Sequence, residues 1–192
     1  MTKYKLLIRQ MVNSIMKKPI IATVALLGIA GIAALTLRAQ DKPLATVPKV
    51  DLEKYLGKWY EIAAFPQSFQ KGCSCTSAVY GLRPDGNIEV TNTCLKEGKI
   101  KKAIGKAVVK DKKTNAKLSV QFFWPFSGKY WIIALAPDYS YAMVGHPNRD
   151  YLWILSRKPV MDNQTYQYLV TQATEKGFDV RKLVKTNQSC NN

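Results

Sequence analysis

Gly57-Lys58-Trp59-Tyr60-Glu61-Ile62 stands where a short polar lead-in gives way to the first apolar, β-prone run. The glycine lets the backbone bend or approach closely before a bulky indole, and alternation of large and polar side chains begins directly after it. Glycine-x-tryptophan is a short pattern that many strands contain, so its weight depends on what surrounds it.

Working back from it, Val50–Leu56 reads as a short helical turn, with Asp51 as cap and Leu52, Tyr55 and Leu56 on one side. Residues 41–49, with Pro43 and Pro48, read as a tether. Before that, Ile20–Leu37 is an apolar and small-residue run of 18 preceded by Lys17 and Lys18. It is long enough to span a bilayer, with the basic side retained in the cytoplasm and the rest delivered outside. The exit Leu37-Arg38-Ala39 is a poor cleavage site, which favours an uncleaved anchor in residues 1–40 over a signal peptide removed to leave a secreted or periplasmic domain. No cysteine precedes Cys73, so this segment offers no acceptor for a lipid anchor.

Working forward, the opening strand runs to about Phe65. Cys75–Leu82 and Ile88–Cys94 alternate around the hairpin turn Pro84-Asp85-Gly86-Asn87. Ala103–Val109, Lys117–Phe123, Tyr130–Ala136, Tyr141–Gly145 and Tyr151–Ser156 follow at hairpin spacing. Eight short strands in this order imply a sandwich or an up-and-down barrel. The period then changes: Tyr166, Leu169, Val170 and Ala173 fall at helical spacing between Asp162 and Lys176, with Gly177 as the stop. That helix is expected to cover the sheet from outside.

Net charge is +16 over 192 residues. Six Lys or Arg and no acid lie in residues 1–40; the rest holds 23 basic against 13 acidic residues, a balance of +10. The lysines are scattered among strand and turn residues without an Arg-rich run or a nucleic-acid motif, so nucleic acid is not an expected partner. A solvated basic rim, with some attraction to anionic head groups, accounts for them.

Together these pieces resemble the lipocalin family, and within it the bacterial lipocalin and apolipoprotein D branch. The first signature is Gly57-Lys58-Trp59-Tyr60-Glu61-Ile62-Ala63. The second is similar to Pro137-Asp138-Tyr139-Ser140-Tyr141-Ala142-Met143-Val144, and the third is Tyr151-Leu152-Trp153-Ile154-Leu155-Ser156-Arg157. Phe122-Phe123-Trp124-Pro125-Phe126 and Gly177-Phe178-Asp179 add to the likeness, which covers roughly residues 50–190 and implies one domain over residues 50–192. The resemblance implies an all-β fold: an eight-stranded antiparallel barrel with one C-terminal helix, preceded here by the N-terminal hydrophobic helix. Gly57, Trp59, Asp138, Tyr139 and Arg157 become structural signature residues, with Trp59 meeting Arg157 at the closed end.

Such a barrel holds one small ligand, and alternation decides what lines it. With Trp59 inward, Glu61, Ala63 and Phe65 follow on the same face; Tyr80, Val90, Asn92, Phe122, Tyr130, Met143 and Trp153 line the remaining strands. Together with Phe65, these seven are the expected ligand-binding residues. A one-residue slip would turn a whole set outward.

All four cysteines (Cys73, Cys75, Cys94 and Cys190) lie beyond the apolar run, so two disulfides are expected, with three connectivities open. The resemblance favours Cys75–Cys190 with Cys73–Cys94; Cys73–Cys190 with Cys75–Cys94 stays open beside it. Paired cysteines remove a thiol nucleophile and a zinc site. His146 is the only histidine, so no triad or metal cluster forms around it, and Glu61 with Asp138 makes no glycosidase pair. No cofactor is expected. The resemblance implies a non-enzymatic envelope carrier of fatty acids, lysophospholipids or similar amphiphiles, on the extracytoplasmic side of a membrane and held there by residues 20–37. A role in envelope lipid storage or repair would suit such a carrier. An isomerase or epoxidase-like enzyme on the same barrel, or a structural envelope protein with a filled barrel, are the alternatives.

Overall fold

The computed structural model describes residues 42–190. The expected N-terminal anchor lies outside the described residues.

Eight strands follow one another as antiparallel neighbours: β1 (Gly57–Ala64), β2 (Ser74–Leu82), β3 (Ile88–Lys96), β4 (Lys99–Val109), β5 (Lys117–Phe123), β6 (Phe126–Leu135), β7 (Tyr141–Gly145) and β8 (Leu152–Ser156). β1 pairs with β8 on one side and β2 on the other, which closes the sheet into a barrel. The closure is tight at the start of β1, where Gly57 faces Tyr80 and Tyr60 faces Ser77. Gly57 has φ +89°, a conformation open to glycine and strained for side chains.

One end of the barrel is stopped by the chain that precedes β1. Helix α1 (Leu52–Tyr55) starts at Asp51, whose carboxylate accepts from the Lys54 N–H at 3.3 Å. Val50 is fully buried and donates from its N–H to the Thr114 carbonyl at 2.7 Å. Leu44 is buried too, so part of the stretch read as a tether lies against the barrel.

Helix α2 (Asn163–Glu175) begins at Asp162, which accepts from the Thr165 N–H at 2.8 Å, and buries Tyr166, Leu169 and Ala173. These pack on the outer surface with Phe65, Ile133, Met143, Leu152, Ile154 and Phe178, forming a second core separate from the barrel interior. A Cβ at Gly145 would lie 2.5 Å from the Phe178 ring, so only a glycine admits that ring. A ninth short strand, β9 (Val184–Lys185), was not among the expected eight. It pairs with Ala63 and Ala64 where β1 has left β2.

Four strands, β1, β2, β5 and β6, carry a register shift, and those of β1 and β6 shape the outer core. In β1, Glu61 faces Leu155 but Ala63 faces Ile154, leaving Ile62 as a bulge. In β6, Ile132 faces Val144 but Ala134 faces Met143, leaving Ile133 as a bulge. Each bulge puts two successive apolar side chains on the helix side, which feeds the outer core without disturbing the inner one.

Candidate functional site

The barrel interior gathers Tyr55, Trp59, Tyr80, Ile88, Val90, Ala107, Leu118, Ile132, Ala142, Val144 and Leu155. Its floor is set by Trp59, which is fully buried and donates from its indole Nε1 to the Tyr55 carbonyl at 2.9 Å. Beneath it lies Arg157, with the guanidinium carbon 3.8 Å from the Trp59 ring centroid. That guanidinium also donates to the carbonyls of Lys58 at 2.8 Å and Lys54 at 2.6 Å, tying β8 to α1 and β1. Tyr139 completes the closure: its hydroxyl accepts from the Asp51 N–H at 2.9 Å. Asp138 accepts from the Ser140 N–H at 3.0 Å, and hydrogen bonding from the Ser140 side chain, then from this N–H, holds its carboxyl below the usual carboxylate range.

Above the floor the interior changes character. Ala78, Asn92, Val120, Phe122, Tyr130 and Trp153 point inward yet keep part of their surface exposed. Inward side chains that are not fully covered border accessible space, whereas Trp59, Ile132, Ala142 and Val144 below them are close-packed. The accessible part therefore lies toward the end opposite α1, where the turns 65–73, 97–98, 124–125 and 146–151 stand.

Of the residues expected to line a ligand site, Tyr80, Val90, Phe122, Tyr130 and Trp153 belong to the inner cluster, and Asn92 shares the face of Ile88 and Val90. Phe65 and Met143 are a correction: both sit in the outer core, Phe65 edge-on to Phe178 at 6.2 Å and Met143 fully buried under α2. The physical reason is the same kind in both cases. The bulge at Ile62 reverses parity along β1, so Ala63 and Phe65 leave the face of Trp59 and Glu61. In β7 the inward pair is Ala142 and Val144, which leaves Met143 facing out. Every residue from Ala142 to Gly145 is buried because the barrel is covered on both faces there, so alternation could not choose.

The mouth is bounded on one side by the C-terminal tail. Thr186 donates from its hydroxyl to Glu61 at 2.6 Å, and Gln70 donates to the same carboxylate at 2.9 Å. Gln188 donates to the carbonyls of Glu61 and Thr76, each at 2.8 Å, and so bridges β1 and β2 where they have parted. Two disulfides hold this region: Cys75–Cys190 pins the tail and Cys73–Cys94 pins the loop before β2 to β3. No cysteine is free, and no group of three metal-ligating side chains exists among the described residues. His146 sits in the β7–β8 turn, bonded to Asn148.

A closed eight-stranded antiparallel barrel, stopped by an indole and a guanidinium and flanked by one helix, is a defined class of small β-barrel. The sequence matches a model described as a lipocalin-like domain over residues 50–188, and the chain belongs to the lipocalin family. It is 43% identical over 159 residues to temperature-induced lipocalin-1 of Arabidopsis thaliana, covering 78% of this chain and 86% of that one. It is 42% identical over 147 residues to the outer membrane lipoprotein Blc of Escherichia coli K12, covering 76% and 83%. Bovine (Bos taurus) apolipoprotein D is 40% identical over 148 residues, covering 72% and 77%. Among solved structures, insecticyanin from the tobacco hornworm Manduca sexta superposes with a TM-score of 0.63 at 20% identity, covering 76% of this chain and 85% of that one, a likeness of fold.

Proposed function

We propose that the domain is a carrier that buries the apolar chain of a fatty acid, lysophospholipid or similar amphiphile inside the barrel, with the polar head left at the mouth. The observation that carries this reading is the gradient inside the barrel, from a close-packed floor at Trp59 to partly exposed aromatic walls at Phe122, Tyr130 and Trp153. Burial of an acyl chain at ~0.8 kcal/mol per methylene supports micromolar affinity without any covalent chemistry. On β4, Lys99 and Lys101 share the face of Ala103, Gly105 and Ala107 and are exposed at the mouth, where a carboxylate or phosphate head would lie. With all four cysteines paired, the isomerase alternative lacks the free thiol it would use as nucleophile.

The surface around the mouth supports delivery from a membrane. Phe123, Trp124 and Phe126 at the β5–β6 tip are 76, 86 and 76% exposed, and Phe69 in the β1–β2 loop of the same barrel end is exposed as well. Aromatics at an exposed tip beside lysines suit the head-group layer of an anionic bilayer. Placement at the cell envelope fits the relatives named as outer membrane lipoproteins. In this chain the apolar run 20–37 would provide the attachment.

Native mass spectrometry of the protein from its own source, with solvent extraction, tests the reading. A co-purifying amphiphile of one chain length class is expected. An empty or filled barrel that displaces no lumen dye on adding dodecanoate or lysophosphatidylcholine would overturn it and favour a purely structural role.

A further inference from the structure

Three phenols meet inside the barrel above Trp59, each from a different element: Tyr55 from α1, Tyr80 from β2 and Tyr130 from β6. The Tyr130 hydroxyl lies 2.8 Å from that of Tyr55 and 2.9 Å from that of Tyr80. Three hydroxyls carry three hydrogens, and two bonds use two of them. Whichever way those bonds run, one O–H is left to donate, and the three hydroxyls have no further partner among the described residues. If Tyr55 and Tyr80 both donate to Tyr130, the spare hydrogen falls on Tyr130. Tyr130 is the most exposed of the three residues; the other two are 2 and 6% exposed. Burial pushes all three phenols above their ordinary pKa, so they remain donors.

The surroundings select what kind of acceptor fits. Among the described basic residues, Arg157 alone comes near enough to act on a phenol, that of Tyr55. Arg157 lies beneath Trp59 with its donors engaged by backbone carbonyls. Glu61, further along the Trp59 face, would repel an anion. An ionised head is thus better served by Lys99 and Lys101, and the three phenols by an uncharged oxygen.

We propose that the Tyr55–Tyr130–Tyr80 relay is a second polar subsite, accepting a neutral carbonyl oxygen near the buried end of an acyl chain whose anionic head stays at the mouth. The proposal rests on the carrier reading above. Gly105, level with Tyr80 through Val90, is four residues along β4 from Lys101, about 13 Å, a span suited to a chain of about ten carbons.

The test compares dodecanoate with its methyl-ketone counterpart, which carries an oxygen on the carbon next to the terminal methyl, each titrated into the full chain. The ketone is expected to bind about three- to tenfold more tightly, the worth of one added hydrogen bond. Replacing all three residues (Tyr55→Phe, Tyr80→Phe, Tyr130→Phe) should abolish or reverse that preference, read as the ratio of the two affinities within the same variant. Isotope-edited infrared spectra of the ketone bound to the unmodified protein should show its carbonyl band at lower frequency than in an alkane solvent; this reading stands even if the triple variant does not fold. Equal affinities, or an unshifted band, would overturn the subsite and assign the spare hydrogen to a trapped water. If dodecanoate itself fails to bind, the carrier reading falls first.

Discussion

Trp59 earns its position from contacts on both faces of the indole: Tyr55 packs above at 5.0 Å between ring centroids, and Arg157 lies below at 3.8 Å. Truncation there removes a large, fully buried side chain and leaves a guanidinium facing a void. Trp59→Ala should lower stability by about 3–5 kcal/mol, read as a shift of the urea midpoint at unchanged slope. A fully folded Trp59→Ala protein with normal ligand affinity would show that the residue is misplaced as a closure device. The phenols above it give a pH signature. Desolvation raises Tyr80 to about 12, and Tyr55 and Tyr130 are raised well above 10 by the same cause. The folded state then holds protons that the unfolded chain has lost, so this contribution is whole below pH 10 and declines as pH rises through 12. Chemical denaturation at stepped pH should show stability falling over that window, and the three-Phe variant should show a shallower fall. At this scale the sequence was only partly legible: Gly57-Lys58-Trp59 and Arg157 stood out through the family resemblance, and alternation brought Tyr80 and Tyr130 to one interior. The role of Tyr55 was hidden, because a helical turn of four residues does not reveal where its hydroxyl points.

Among the elements, the strands and the helix were readable because turn residues and period mark them: Pro84-Asp85-Gly86-Asn87 for one hairpin, Tyr166, Leu169 and Ala173 for α2. What alternation could not deliver was parity past a bulge. Ile62 and Ile133 each look like ordinary strand residues, yet each shifts its partner by one and reassigns the side chains that follow. The C-terminal tail escaped for another reason: β9 is two residues long, too short to alternate, and owes its place to Thr186, Gln188 and Cys190. The Cys75–Cys190 bond spans 115 residues of sequence, so it restrains a long loop in the unfolded chain. Replacing both partners (Cys75→Ser with Cys190→Ser) should cost about 2–4 kcal/mol. It should also speed hydrogen exchange at the Cys75 and Thr186 amides, which bond to Asn187 and Ile62. Unchanged exchange there would mean that Thr186 and Gln188 hold the tail without the disulfide.

The molecule as a whole separates its two tasks along the barrel axis. Closure sits at the end of α1, Trp59 and Arg157; aromatic and basic exposure sits at the other end, with Phe69, Ile100, Phe123, Trp124 and Phe126 among Lys71, Lys99, Lys101, Lys102 and Lys129. In the carrier reading proposed above, the balance of +10 beyond residue 40 would supply long-range attraction to an anionic surface, and the aromatic tip short-range burial. These two contributions respond differently to salt, since screening at about 8 Å in physiological buffer weakens the first and leaves the second. With the protein in solution and vesicles containing a fixed fraction of phosphatidylglycerol, binding should therefore weaken steeply as salt rises. Trp124→Ser should reduce it at every salt concentration by a similar factor, about tenfold for loss of one aromatic at the interface. Because the apolar run 20–37 is common to both proteins, it cancels in that ratio. A flat salt response would remove the basic rim from the account, and a Trp124→Ser protein that binds as well as the parent would place the contact elsewhere on the barrel.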